Sequence, residues 1–182
     1  HVRSRRQRQM CIRDRFTSNP LLYPNLNYDP IKSYEYVAVA GSTPFVILTN
    51  PQTGIGTVAD ITNKSAAQPL SFGSFGNGST PHMAGESLAQ RTGAKLLHVP
   101  YRGSAPAMTD LIGNQIPLSI DTLVAGLPQI KAGKVRAVAL TGRARSSLVP
   151  EVPTVAESGV AGYDFETVSY THLRAHETSL HL

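Results

Sequence analysis

The sequence predicts an α/β fold built on a parallel sheet, and three observations carry that expectation. Short apolar runs of strand character recur as PLSFGS, KLLHVP, IPLSID and KVRAVALT, at residues 69–74, 95–100, 116–121 and 134–141. Segments with apolar residues at helical spacing lie between them, each closing on a glycine. Strand, helix, strand, helix at this spacing requires right-handed crossovers between parallel strands.

Each helical segment has its own signature. Residues 80–92 place Met83, Ala84, Ser87, Leu88 and Arg91 on one face and stop at Gly93. Ala105, Met108, Leu111 and Ile112 repeat the pattern before Gly113, and a third segment from Leu123 to Ala132 closes on Gly133. Upstream of Pro69 the order changes. YEYVAVA (34–40) and PFVILTN (44–50) read as two strands separated by Gly41, Ser42 and Thr43, and residues 57–67 read as a short helix linking two lobes.

The formal net charge of +5 would ordinarily suggest an anionic partner, but its distribution argues against nucleic acid. Residues 1–15 carry six arginines against Asp14 alone, whereas residues 16–166 carry ten basic and ten acidic side chains. The two ends are also related to each other. MCIRD (10–14) can be coded ATG TGT ATA AGA GAC, whose reverse complement reads VSYTH, residues 168–172. Residues 1–15 and 167–182 are therefore expected to be non-native translations of sequencing-adapter DNA, which the encoding DNA can test, and neither a basic arm nor a His-rich tail enters the functional reading. Between them there is no cysteine, because Cys11 is the only one in the chain, and the histidines are His82 and His98. Disulfides, a cysteine-based metal site and a thiol nucleophile are excluded there. No metal or cofactor is expected, and no apolar run reaches the length of about eighteen residues that crosses a bilayer.

Three strand-to-helix junctions draw attention, because ligands of open parallel sheets bind beyond the carboxyl ends of the strands. The first, GSFGNGST (73–80), misses the phosphate-loop pattern G-x-x-x-x-G-K-[ST] only by Ser79 in the lysine position. Without that lysine, nucleotide hydrolysis is disfavoured. Backbone N–H groups at a helix start, with glycines that let a ligand approach, suit a smaller anion such as a carboxylate. The alternative is a capping structure without a ligand. Ser74, Asn77, Gly78, Ser79 and Thr80 are its candidates, with Ser79 or Thr80 as N-cap before Pro81. His82 would either touch the ligand or bond the backbone, and His98 reads as a satisfied core histidine. The second junction offers Tyr101, Gly103 and Ser104 beside Arg102. The third offers Asp121, which could orient a ligand or cap a helix. No nucleophile elbow occurs, so catalysis has little support; the remaining enzymatic reading is an anion-binding α/β fragment using His82 or Asp121 as acid or base.

The runs NYDPIKSYEYVAV, GNGSTPHMAGE, HVPYRGSAPAMTDLIGNQIPLSID, LPQIKAGKVRAVALTG and VPEVPTVAESG resemble the periplasmic substrate-binding proteins of tripartite tricarboxylate transporters, the Bug family. That resemblance spans residues 16–166. It implies a bacterial, periplasmic receptor of the type II binding-protein fold, closing on a small carboxylated ligand and delivering it to membrane permease subunits. The ligand would be a di- or tricarboxylate, an amino acid or an aromatic acid. Carried over by motif, the ligand contacts are Asn77, Gly78, Ser79, Thr80, Gly103, Ser104 and Asp121, with Thr43 a weaker match. The resemblance also implies that residues 16–68 are a partial first lobe and link, 69–162 a nearly complete second lobe, and 163–166 the start of a crossover back. Apolar surface left uncovered by the missing parts is expected to favour aggregation.

Overall fold

The computed structural model describes the backbone of residues 34–174 and the side chains of residues 43–166. The chain divides into two compact units. One is Thr43–Glu166; of the other, residues 34–42 and 167–174 are described. The expectation for residues 1–15 lies outside the described residues. The elements run β1 (Tyr34–Thr49), α1 (Val58–Ala67), β2 (Leu70–Ser74), α2 (Thr80–Thr92), β3 (Leu96–Pro100), α3 (Ser104–Ile112), β4 (Leu118–Thr122), α4 (Leu123–Lys131), β5 (Arg136–Leu140) and β6 (Glu166–Arg174). The strand order is β3-β2-β4-β1-β5, with β6 paired to β1.

Two features differ from the sequence expectation. The sheet is mixed: β2 runs parallel to β3 and β4, but β1 is antiparallel to both β4 and β5. The two expected strands at 34–40 and 44–50 form one strand, which runs through Gly41, Ser42 and Thr43 without a break. PFVILT fills the gap between β4 and β5 within the compact unit Thr43–Glu166.

That run is apolar at every position because both of its faces are covered. Alternation sends Phe45 and Ile47 to one face, where they join Ile61, Phe72, Leu88, Ile120 and Tyr163. Val46 and Leu48 go to the other, with Met108, Leu111, Leu123 and Leu140. Helices α1 and α2 therefore cover the first face, and α3 and α4 the second. Local chemistry sets the helix ends. Thr57 and Asp60 form a reciprocal capping box at the start of α1. Gly93 closes α2 in the left-handed conformation at φ 72°. Asn50 Nδ2 donates to the carbonyls of Leu111 and Ile112 at 2.9 and 3.0 Å, satisfying the end of α3 from the turn that follows β1. After β5, Leu140 bridges Thr154 in parallel, and Tyr163 anchors the last stretch by donating its hydroxyl to the Ala84 carbonyl at 2.7 Å.

Candidate functional site

Strands β2 and β4 are adjacent and parallel, yet the chain leaving β2 enters α2 on one face and the chain leaving β4 enters α4 on the other. Connections that diverge in this way open a crevice beyond the carboxyl ends of the two strands. Register places Gly73 beside Ser119 and Ser74 beside Pro100, so the three junctions singled out in the sequence share this edge. Thr43 joins them, because β1 is antiparallel and pairs Phe45 with Thr122. A surface groove lined by Ile130, Val135, Arg136, Glu151 and Val152 lies at the amino end of β5 and includes none of these residues.

The loop after β2 is tightly bonded to itself. Ser74 is fully buried; its Oγ accepts from Gly76 N–H at 3.2 Å and lies 2.6 Å from His98 Nε2. Ser79 is also buried, and its hydroxyl donates to the Gly76 carbonyl at 2.7 Å rather than capping α2. Gly78, at φ 73°, donates its N–H to His82 Nδ1 at 3.0 Å. The Gly78 amide and the Ser74 and Ser79 hydroxyls, expected to meet a ligand, are thus engaged within the protein. Asn77 is exposed and Thr80 half-buried, and neither side chain hydrogen-bonds to another described residue. Of the two roles open to His82, the structure shows the bond to backbone.

His98 is half-buried on the edge strand rather than in the core. Its ring stacks on His82 with centroids 3.8 Å apart and planes at 18°, and approaches Phe72 at 5.2 Å. Burial, then the neighbouring His82, holds its pKa down at about 4. Sequence reasoning missed this histidine pair; its signal is the register partnership of Phe72 with His98 beneath the start of α2. Thr141 was missed as well. Fully buried beyond β5, its hydroxyl accepts from Phe45 N–H at 3.1 Å and donates to the Phe165 carbonyl, tying β1 to the returning chain.

At the second junction, Gly103 adopts φ 120° ahead of α3, a conformation reserved for glycine, and Arg102 is exposed. The Tyr101 phenol donates to Asp110 Oδ2 at 2.7 Å; burial and then this carboxylate raise it to about 12. Ser104 donates its hydroxyl to Asp121 Oδ2, bringing the second and third junctions together. Asp121 itself is fully buried and accepts from Thr122 N–H at 2.7 Å, while Thr122 caps α4 by accepting from Ala125 N–H at 3.4 Å. The capping role open to Asp121 thus falls to its neighbour.

Burial raises the Asp121 pKa, and the bonds from Ser104 and Thr122 only partly oppose it. A raised folded-state pKa contributes stability at low pH that is lost as pH rises through it. Asp121→Asn removes that loss, so the variant should gain stability relative to the wild type as pH rises from about 4 toward neutrality. Urea unfolding across that range measures the difference, and a difference that is flat or falls with rising pH contradicts the burial argument.

Residues 9–177 match the family described as tripartite tricarboxylate transporter family receptor. A UPF0065 protein from the TAR-I ttuE-ttuC' intergenic region of Agrobacterium vitis is 39% identical over 156 residues, covering 85% of this chain and 44% of that protein. Among solved structures, a periplasmic transporter shares 36% identity with a TM-score of 0.78, over 86% of this chain and 53% of its own. Rpa4515 of R. palustris, solved with adipate, shares 33% identity with a TM-score of 0.75, over 82% and 50%. The chain spans about half the length of the relatives it matches.

Proposed function

The chain belongs to the tripartite tricarboxylate transporter receptor family, and from that premise we propose that it is part of a periplasmic receptor for a small organic acid. One observation carries the reading: the edge where the chain leaves β2 and β4 toward opposite faces is bordered by a helix start, residues 77–80, that holds no lysine or arginine. Such a site meets a carboxylate with backbone and hydroxyl donors rather than with a salt bridge. Asn77 and Thr80 are the direct donors in this proposal. Gly78, Ser79 and Ser74 shape the loop, and Gly103, Ser104 and Asp121 form the opposite wall, where Asp121 orients a ligand hydroxyl, amine or water. Thr43 lies on the strand that adjoins them. The adipate-bound relative supports a dicarboxylate as ligand class. The proposal includes delivery to membrane permease subunits, which the description of the family as a transporter receptor supports, and leaves residues 1–15 and 167–182 outside this function. The family match supports this binding role and not an acid–base role for His82 or Asp121.

A thermal-shift screen with malate, adipate, citrate, glutamate and benzoate, against the matching neutral amides, tests the proposal. At a ligand concentration about 100 times Kd, stabilisation of about 2.7 kcal/mol is expected. Stabilisation by none of the acids, or turnover of any of them, would overturn it.

A further inference from the structure

The bond from Gly78 N–H to His82 Nδ1, at 3.0 Å, constrains more than the loop. An imidazole nitrogen accepts a hydrogen bond only while it carries no proton, so the neutral ring must hold its proton on Nε2. That nitrogen stands 3.6 Å from Glu86 Oε1, on the same helix. The other face of the arrangement is built by His98, stacked at 3.8 Å and bonded to Ser74 Oγ, which in turn accepts from Gly76 N–H. Both glycines of the turn, Gly76 at φ 113° and Gly78 at φ 73°, are therefore held by bonds that lead to a histidine.

We propose that His82 is a positioning residue for carboxylate recognition: its unprotonated Nδ1 latches the Gly78 N–H, and protonation releases the loop, so that ligand is held at neutral pH and let go in acid. The inference rests on the receptor reading above. Among the described residues, the titratable groups facing His82 are Glu86 on α2 and His98 on β3; from β2, Phe72 and Ser74 meet the His98 ring and do not titrate in this range. His98, held at about 4, stays neutral through the region near pH 6.5 where imidazoles ordinarily take up a proton. A proton added to His82 must go to Nδ1, which then donates and can no longer accept from Gly78.

Two arms of one NMR experiment on the full chain, labelled with ¹⁵N, separate the latch from the receptor reading. Without ligand at pH 8, His82 should be protonated on Nε2 alone and the Gly78 amide protected from exchange. Where the ring signals show His82 doubly protonated, that protection should fall about tenfold beyond the intrinsic pH effect on exchange. A proton on Nδ1 at pH 8, or protection unmoved by the titration, overturns the latch. In the second arm malate and adipate are titrated at both pH values into the wild type and into His82→Asn, whose Oδ1 can accept but cannot titrate. Relative to that variant, the wild type should bind about three to ten times more weakly at pH 5, the scale of one hydrogen bond. Equal pH dependence in the two proteins, or tighter wild-type binding in acid, overturns the proposal. Absence of binding at pH 8 overturns the recognition role together with the receptor reading, while the first arm still reports on the latch.

Discussion

Gly78→Val is expected to weaken carboxylate binding by about 1.5 to 3 kcal/mol, the range of a lost charge-assisted hydrogen bond, or roughly ten- to a hundredfold. Arg102→Ala is expected to change it by less than about 0.5 kcal/mol, as surface substitutions usually do. Gly78 is buried and sits at φ 73°, where a β-branched side chain is strained by contact with its own backbone. Moving it to an allowed conformation breaks the bond to His82 and displaces the start of α2, where Asn77 and Thr80 stand. The effect passes through the shape of the loop, because the Gly78 amide already has a protein acceptor. Arg102, by contrast, is exposed on the connection between β3 and α3 and can remain solvated. Calorimetry with malate and adipate on both variants decides the matter. A loss of this size in Arg102→Ala with normal binding in Gly78→Val would mean that a salt bridge holds the ligand.

Phe72→Ala should lower the unfolding free energy by about 3 to 5 kcal/mol, the usual cost of deleting a buried phenyl ring. Phe72 is 1% exposed and joins the core beneath α2, where a Cβ on Gly85 would overlap its ring. The helix has approached so closely that removal of the ring leaves a cavity which α2 can fill only by moving. The same ring lies 5.2 Å from His98, so the histidine pair should loosen with it. Leu97→Ala, on the neighbouring strand but 63% exposed, serves as the control and should stay within about 0.5 kcal/mol. Urea unfolding of both variants checks the contrast; similar losses would show that α2 does not depend on this contact.

Much of the architecture was legible because its signals are local. Period, caps and glycine stops depend on residues a few positions apart, and they marked β2 to β5 and their helices to within two residues, with Gly93 ending α2 as expected. The loop at residues 77–80 was equally visible, since glycines before a Pro-led helix are a local pattern. The run PFVILT was recognised as a strand, but its antiparallel place between β4 and β5 was not. An apolar run tells that both faces are buried, without telling which strands stand beside it.

By itself, then, the sequence determined the α/β class, the family and most of the succession of elements, and it singled out three junctions that the structure places at one edge of the sheet. Tertiary structure alone decided which groups at that edge are already bonded within the protein. His82 meets His98 sixteen positions away, Ser104 meets Asp121 across two elements, and Tyr101 turns to Asp110. Each pairing gives a protein partner to a group that composition and spacing had left without one. The reason is physical: a hydrogen bond is fixed by distance and direction between atoms, and for residues on different elements those are set only when packing brings the elements together.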